Sequence, residues 1–272
     1  VCVLRTLDQQ HHVALPVQHM RLIMGKIAIV GRGSAGCLSM LHFLYHTDHE
    51  VEWIYDPSIA PVPVGEGTDM RIPNELSMKA NFKTDDLLKM GGTVKTGVYK
   101  QNWGNKPDFL NPFPISRMGI HMSAHDLQIH LIDKYRLHER VTITEKNVTD
   151  PSLIDADRVV LATGTPKEIT SDYIRPSIPV TSAYITQCNW SYPKFSYTLT
   201  IARPWGWVFG IPLQDRCSVG YLFNKNITDL ATIKDDVQEI FNQYGLVPSD
   251  KTNLIHFDSY YRKEFINERV AY

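Results

Sequence analysis

The sequence predicts an α/β fold: a parallel strand–helix–strand unit near the amino end, followed by a mainly antiparallel β layer. Three observations carry this. A nearly continuous apolar run, Lys26 to Val30, ends in glycines and precedes a stretch with apolar residues at three- and four-residue steps. A second alternating run, Glu50 to Tyr55, closes that unit. From about Ser177 to Phe223 the chain turns rich in strand-forming residues.

Composition sets the outer bounds. Of the 272 residues 43% are hydrophobic, 21% charged and 10% aromatic, with 28 basic against 29 acidic residues and a net charge of −1; mean hydropathy is −0.22. This excludes disorder, collagen and a membrane protein, and it offers neither a nucleic-acid surface nor a polybasic membrane anchor. The cysteines, Cys2, Cys37, Cys188 and Cys217, form no CxxC pair, so neither a disulfide framework nor a zinc site is expected. No run reaches the ~18 apolar residues of a spanning helix, and Val1 to Ile23 lacks a signal-peptide core. The expectation is a cytoplasmic chain with residues 1–23 as an extension outside the fold and 24–272 as one module.

The first strand, Lys26 to Val30, suits a position buried on both faces. Gly31-Arg32-Gly33-Ser34-Ala35-Gly36 then forms a GxGxxG, and Cys37, Met40, Leu41, Leu44 and Tyr45 mark the buried stripe of a helix. Glu50 to Tyr55 ends at Asp56, twenty residues past Gly36. Between strand and helix, with an acid at that distance, the glycine motif reads as a Rossmann-like dinucleotide site. Gly31 permits the tight turn, Gly33 lets backbone approach a pyrophosphate, and Gly36 allows close helix packing; Ser34 and Ala35 open the helix, whose N–H groups face the phosphates. Asp56 is expected to hold the ribose hydroxyls.

Asp157 to Gly164, DRVVLATG, is an acid-led strand ending in Ala162-Thr163-Gly164, the form in which a flavoprotein strand passes close to FAD. No second GxGxxG for NAD(P)H occurs, which leaves one nucleotide site, for FAD. The class becomes an FAD-binding fold of the flavin monooxygenase type with an added antiparallel sheet. Ile59 to Thr68 is expected to be an ordered loop, because its prolines exclude a central strand, and Val64-Gly65-Glu66-Gly67 allows close approach to a ring or anion. Helices are expected over His125 to Leu137 and Ala231 to Tyr244, the latter stopped by Gly245 and Pro248. Tyr197 to Ile201 and Ser218 to Phe223 are expected strands.

Five segments, in order, carry a family resemblance: GRGSAG at Gly31, VGEGT at Val64, GGTVKTGVYKQNW at Gly91, IHMSAHDLQIHL at Ile120 and WGWVFGIPL at Trp205. Across Lys26 to Tyr272 the chain resembles the flavin-dependent halogenases of the tryptophan halogenase type. The resemblance implies that reduced FAD from a separate flavin reductase, oxygen and a halide ion (chloride, bromide or iodide) give hypohalous acid. A buried lysine then directs the halogen onto a small electron-rich aromatic substrate, indole-like or phenolic. By motif match that lysine is Lys95, seven residues before Asn102-Trp103. Its surroundings agree, since Met90 to Val98 holds no other charge and burial favours the neutral, nucleophilic amine. The plain alternative is a solvated strand lysine, like Lys100.

In the family, Trp-x-Trp-x-Ile-Pro lines a tunnel and keeps organic substrate from the flavin. Here the segment reads Trp207-Val208-Phe209-Gly210-Ile211-Pro212, with phenylalanine in the second tryptophan position; ordinary core packing is the other reading of these rings. Pro63 stands where the family has glycine, and Asp69-Met70-Arg71 intervenes before Ile72-Pro73-Asn74. Glu66 either faces the isoalloxazine or halide region, or caps a helix. His42, His46 and His49, and likewise His121, His125 and His130, invite a metal reading; the first set is assigned to a solvated helix face, the second matches a family segment without a metal role, and no metal site is expected. No GxSxG nucleophile elbow occurs.

The family's catalytic glutamate is expected beyond Tyr272, because Glu268 to Tyr272 reads as the start of a strand in which the chain stops. The module is therefore expected to be truncated at its carboxyl end. An FAD-dependent aromatic hydroxylase (monooxygenase) and an inert flavin-binding fragment are the alternatives. The sequence leaves open whether the chain forms a homo-oligomer.

Overall fold

A computed structural model describes residues 25–59, 65–106, 108–164, 166, 168–264 and 269–272. Its first layer is a five-stranded, all-parallel sheet in the order β17 (Val270–Ala271), β9 (Arg158–Leu161), β1 (Lys26–Val30), β2 (Glu50–Tyr55), β8 (Val141–Glu145). Central β1 is buried on both faces, as its unbroken apolar run requires. Ile27 and Ile29 pack with Cys37, Met40 and Leu41 of helix α1 (Ser34–His46), whereas Ala28 and Val30 meet Ile54, Ile154 and Val159 on the other side. Tyr45, expected on the buried stripe, is 53% exposed. It lies about 100° round the helix from Leu44, which already completes the stripe.

Helix α4 (Ala124–Tyr135) packs Leu127, Leu131, Ile132 and Tyr135 into the same core; the Ser123 side chain caps it by accepting from the Asp126 N–H at 3.3 Å. Two short helices, α2 (Ile72–Ala80) and α3 (Thr84–Lys89), add Leu76, Ala80 and Leu87.

The second layer is a seven-stranded, mainly antiparallel sheet. Its order is β15 (Val247–His256), β11 (Ser182–Asn189), β14 (Arg216–Phe223), β13 (Gly206–Pro212), β12 (Thr198–Arg203), β5 (Gly97–Gln101), β6 (Asp108–Pro112), with one parallel junction between β12 and β5. Helix α5 (Leu230–Tyr244) lays Ile233, Val237, Ile240 and Phe241 on this sheet. It is capped by Asp229 and ended by Gly245 in the left-handed conformation, φ +58°. Arg203 of β12 pairs with Asp236 and Glu239 of α5, and the Tyr221 hydroxyl donates to Asp236 at 2.6 Å. A minor antiparallel pair joins β10 (Tyr173–Ile174) to β16 (Tyr261–Arg262).

A three-stranded sheet, β3 (Gly65–Gly67), β7 (Gly119–Ser123), β4 (Thr93–Lys95), stands between the layers. Here the structure corrects the expectation of a loop through Thr68: Gly65 to Gly67 form an edge strand on β7. That segment holds no proline, and its glycines allow the close approach that this pairing needs. The rest of the expected loop, Ala60 to Val64, including Pro63, falls outside the described residues. Only Thr96 separates β4 from β5, so Lys95 is the last residue before the chain leaves the small sheet for the large one.

Candidate active site

The expected nucleotide cradle is built from backbone. Gly31 has φ +112°, and a Cβ there would stand 2.2 Å from the Ala162 carbonyl oxygen; a Cβ on Gly36 would stand 2.0 Å from the Gly31 oxygen. Both positions therefore exclude side chains. A Cβ on Gly33, by contrast, would meet nothing within 4 Å. Gly33 is the N-cap of α1 without a side-chain cap, and the first turn carries no acid, so the amino end of the helix is open to an anion. Trp53, fully buried in β2, donates its indole N–H to the Gly31 carbonyl at 2.9 Å and pins the turn.

Ala162 lies against this turn, leading into Thr163 and Gly164, which has φ +74°. Ala35 is exposed on the first turn of α1. Asp56 follows β2 directly, and its carboxylate accepts from the Ser58 N–H at 2.9 Å and the Ser58 hydroxyl at 2.6 Å. A helix terminus whose backbone N–H groups have no side-chain cap, two side-chain-excluding glycines and an acid at the adjacent strand end fit a dinucleotide such as FAD. Val64 lies outside the described residues.

Glu66 connects this cradle to the lysine. Its carboxylate accepts from the Ser34 hydroxyl at 2.8 Å, at the first turn of α1, and makes no bond to that helix's backbone N–H groups among the described contacts. Its neighbour Gly67 abuts Lys95: a Cβ on Gly67 would stand 3.3 Å from Lys95 Nζ, 3.1 Å from His121 Cδ2 and 3.0 Å from Thr198 Oγ1. One short edge strand thus touches the dinucleotide turn with one residue and the amine with the next.

Lys95 is 7% exposed. Its Nζ lies 5.5 Å from the Phe113 ring centre, and burial lowers its pKa below the ordinary lysine value, partly offset by the charge of Asp69. The plain alternative of a solvated lysine does not describe it. Asp69 accepts from the Arg71 N–H at 2.8 Å and the Ile72 N–H at 3.3 Å at the start of α2, which gives the inserted Asp69-Met70-Arg71 stretch a local structural role.

The tryptophan segment is β13. Alternation buries Val208, Gly210 and Pro212 and leaves Trp207, Phe209 and Ile211 half-buried on the other face. The Phe209 ring lies on Gly220, where a Cβ would come within 2.2 Å of it. Trp207 lies 6.2 Å from Phe209 and 6.4 Å from Trp103, centre to centre. Pro212, at the opposite end of the strand, accepts from the Thr93 hydroxyl at 2.7 Å. So Pro212 is tied to the lysine strand, while Trp207 stands five residues away, about 17 Å along the strand.

A cavity of about 600 Å³ between α2, α3 and the β4–β7 pair is lined by Met70, Phe82, Val94 and Met118 together with Arg71 and Arg117. Val94 projects from the opposite face of β4 to Lys95, which is not among the lining residues. Among the described residues no group of His, Cys, Asp and Glu is arranged to hold a metal ion. His42 and His46 are exposed on α1, and His49 accepts from the Gly25 N–H. No described helix is long and apolar enough to cross a membrane.

The family model for tryptophan halogenase matches residues 26–165 and 131–271, nearly the whole described fold. The chain belongs to this family. Solved structures of the same fold include a tryptophan halogenase from Shewanella frigidimarina, at 16% identity and TM-score 0.72, which covers 93% of this chain and 66% of its own. A flavin-dependent halogenase from Xanthomonas campestris, at 14% identity and TM-score 0.76, covers 91% and 65%. A tryptophan 6-halogenase from Streptomyces toxytricini, at 17% identity and TM-score 0.73, covers 90% and 65%. The chain therefore spans slightly less than two thirds of these structures' length. No curated protein matches it in sequence.

Sequence reasoning passed over Trp53, Thr93, Thr198 and the placement of His121. A histidine inside the fully buried strand GIHMS was the one available signal, since a buried imidazole needs partners.

Proposed function

We propose that the chain is the FAD-binding and lysine-bearing part of a flavin-dependent halogenase that halogenates a small electron-rich aromatic compound, indole-like or phenolic. The observation that supports this reading is the Glu66-Gly67 bridge, which links a buried amine to the glycine turn through two adjacent residues of β3. Gly31, Gly33 and the first turn of α1 would hold the pyrophosphate, Asp56 the ribose, and Ala162 to Gly164 the approach to the ring system. Bound in its reduced form, after delivery by a separate flavin reductase, FAD would supply the electrons that turn oxygen and a halide into hypohalous acid.

Lys95 does the remaining work. Burial keeps a larger share of its amine neutral at a given pH. The Nζ lone pair can take halogen from hypohalous acid: an N–X bond forms, the O–X bond breaks, and the hydroxide leaves with an amine proton as water. In the second step a C–X bond forms at the ring, the N–X bond breaks, and the ring proton restores the amine. Phe209 and Ile211 would act as the steric wall. Buried free thiols at Cys37, Cys188 and Cys217 suit a reducing cytoplasm.

The test is Lys95→Ala in the full protein with reduced FAD, oxygen and bromide. Halogenated product should fall by about 10³-fold or more while flavin reoxidation continues. Undiminished halogenation would overturn the reading, and hydroxylated product with or without bromide would establish an aromatic hydroxylase instead.

A further inference from the structure

A buried histidine stands next to the lysine strand. His121 is 0% exposed in the middle of β7, directly opposite Thr93 in the register of β4. Its Nδ1 lies 3.2 Å from Thr93 Oγ1 and its Nε2 lies 3.0 Å from Thr198 Oγ1. The proton inventory fixes the direction of this chain. The Pro212 carbonyl can only accept, so the single hydroxyl proton of Thr93 goes to it at 2.7 Å. Thr93 must then accept from His121, which places the imidazole proton on Nδ1. Nε2 is left as an acceptor for the Thr198 hydroxyl.

We infer that His121 is a positioning residue for Lys95, held as the neutral Nδ1–H tautomer in a relay running Thr198 to His121 to Thr93 to Pro212. The relay ties four strands together at the amine: β7 with His121, β4 with the lysine, β12 with Thr198, and the end of β13 that closes the tryptophan segment. Two members of the relay, Thr198 and His121, meet Lys95 around the Cβ position of Gly67, so the relay flanks the amine. A neutral imidazole suits that position. The charged group facing it is Lys95, no carboxylate among the described residues bonds to the ring, and burial followed by the lysine charge pushes its pKa down to about 3. A cationic histidine there would stand unpaired beside an amine.

The inference rests on Lys95 being the reacting amine, but its first test needs neither flavin nor halide. In the full chain with ¹⁵N-labelled histidine, the His121 ring should show a protonated Nδ1 and an unprotonated Nε2 from pH 8 to pH 5. Thr198→Val should move the Nε2 signal alone, which also assigns it. In turnover, His121→Phe should lower halogenated product per flavin oxidised by about 10- to 100-fold. Thr198→Val should move the pH limb of Lys95 to lower pH, because the Thr198 hydroxyl lies on the same side of Gly67 as the ammonium, and Thr198→Ser should restore it. An Nε2–H tautomer, an imidazolium at pH 7, or losses with an unmoved pH limb would overturn the inference. If His121→Phe does not fold, Thr198→Val carries the turnover test. Lys95→Ala with full halogenation would instead strike the halogenase reading and leave the nitrogen signature standing.

Discussion

The two halves of the site are made in opposite ways. The dinucleotide cradle is local and backbone-built: its three glycines fall within six residues, and it works because Gly31 and Gly36 lack side chains and the terminus of α1 lacks a cap. The lysine pocket is distant and side-chain-built. His121 and Thr198 are 77 residues apart in sequence, and Thr93 and Pro212 are 119 apart. A cradle of the first kind fails by steric intrusion and takes the fold with it; a pocket of the second kind fails by lost geometry and leaves the fold standing.

Substitution in the cradle tests this most harshly. Gly36→Val places a branched side chain against the Gly31 carbonyl, 2.0 Å from the Cβ position, beside the buried Trp53 indole. Stability should drop by more than about 4 kcal/mol, with flavin binding lost; a urea midpoint within error of the parent would break the comparison. On the pocket side, Lys95→Met should remove halogenation while holding stability or raising it by about 1 kcal/mol, because an amine leaves an apolar environment. A large drop in the melting temperature of Lys95→Met would show the lysine to be structural.

His121 gives the comparison a pH axis. Its folded pKa, about 3, lies below the unfolded 6.5, so below pH 6.5 the unfolded chain binds a proton that the native chain does not. The histidine's contribution to stability should therefore decline as pH falls from 6.5 toward 3, with a slope of up to roughly 1.4 kcal/mol per pH unit. Thermal unfolding of the parent and His121→Phe at pH 7 and pH 5 checks this, and equal pH dependence in both would count against a neutral buried imidazole. The smallest effect belongs to the bridge. Ser34→Ala removes one hydrogen bond to Glu66 and should cost about 1 kcal/mol, read as flavin binding about fivefold weaker.

Much of the cradle was legible in the sequence, because each requirement is met by residues within one strand–helix–strand unit. The elements around it, β1, α1, β2 and β9, lie where the apolar periods put them, and Lys95 stood out by its uncharged neighbourhood. The edge strand β3 was not legible. Three residues reading Gly-Glu-Gly carry no period, and they become a strand only because β7 offers them a partner. Nor could spacing show that Tyr45 faces outward, or that Trp207 and Pro212, five residues apart, face different neighbours.

What the sequence by itself determined is the parallel α/β unit and the antiparallel layer, with Lys95 singled out by its uncharged neighbourhood and by the family resemblance. These depend on hydrophobic period and on glycine stereochemistry, which act over a few residues. Only the tertiary structure decided that Glu66 touches Ser34 while Gly67 touches Lys95, and that His121 sits between two threonines from separate strands. Those facts depend on strand register between distant segments, and the direction of each hydrogen bond follows only once donor and acceptor are in place.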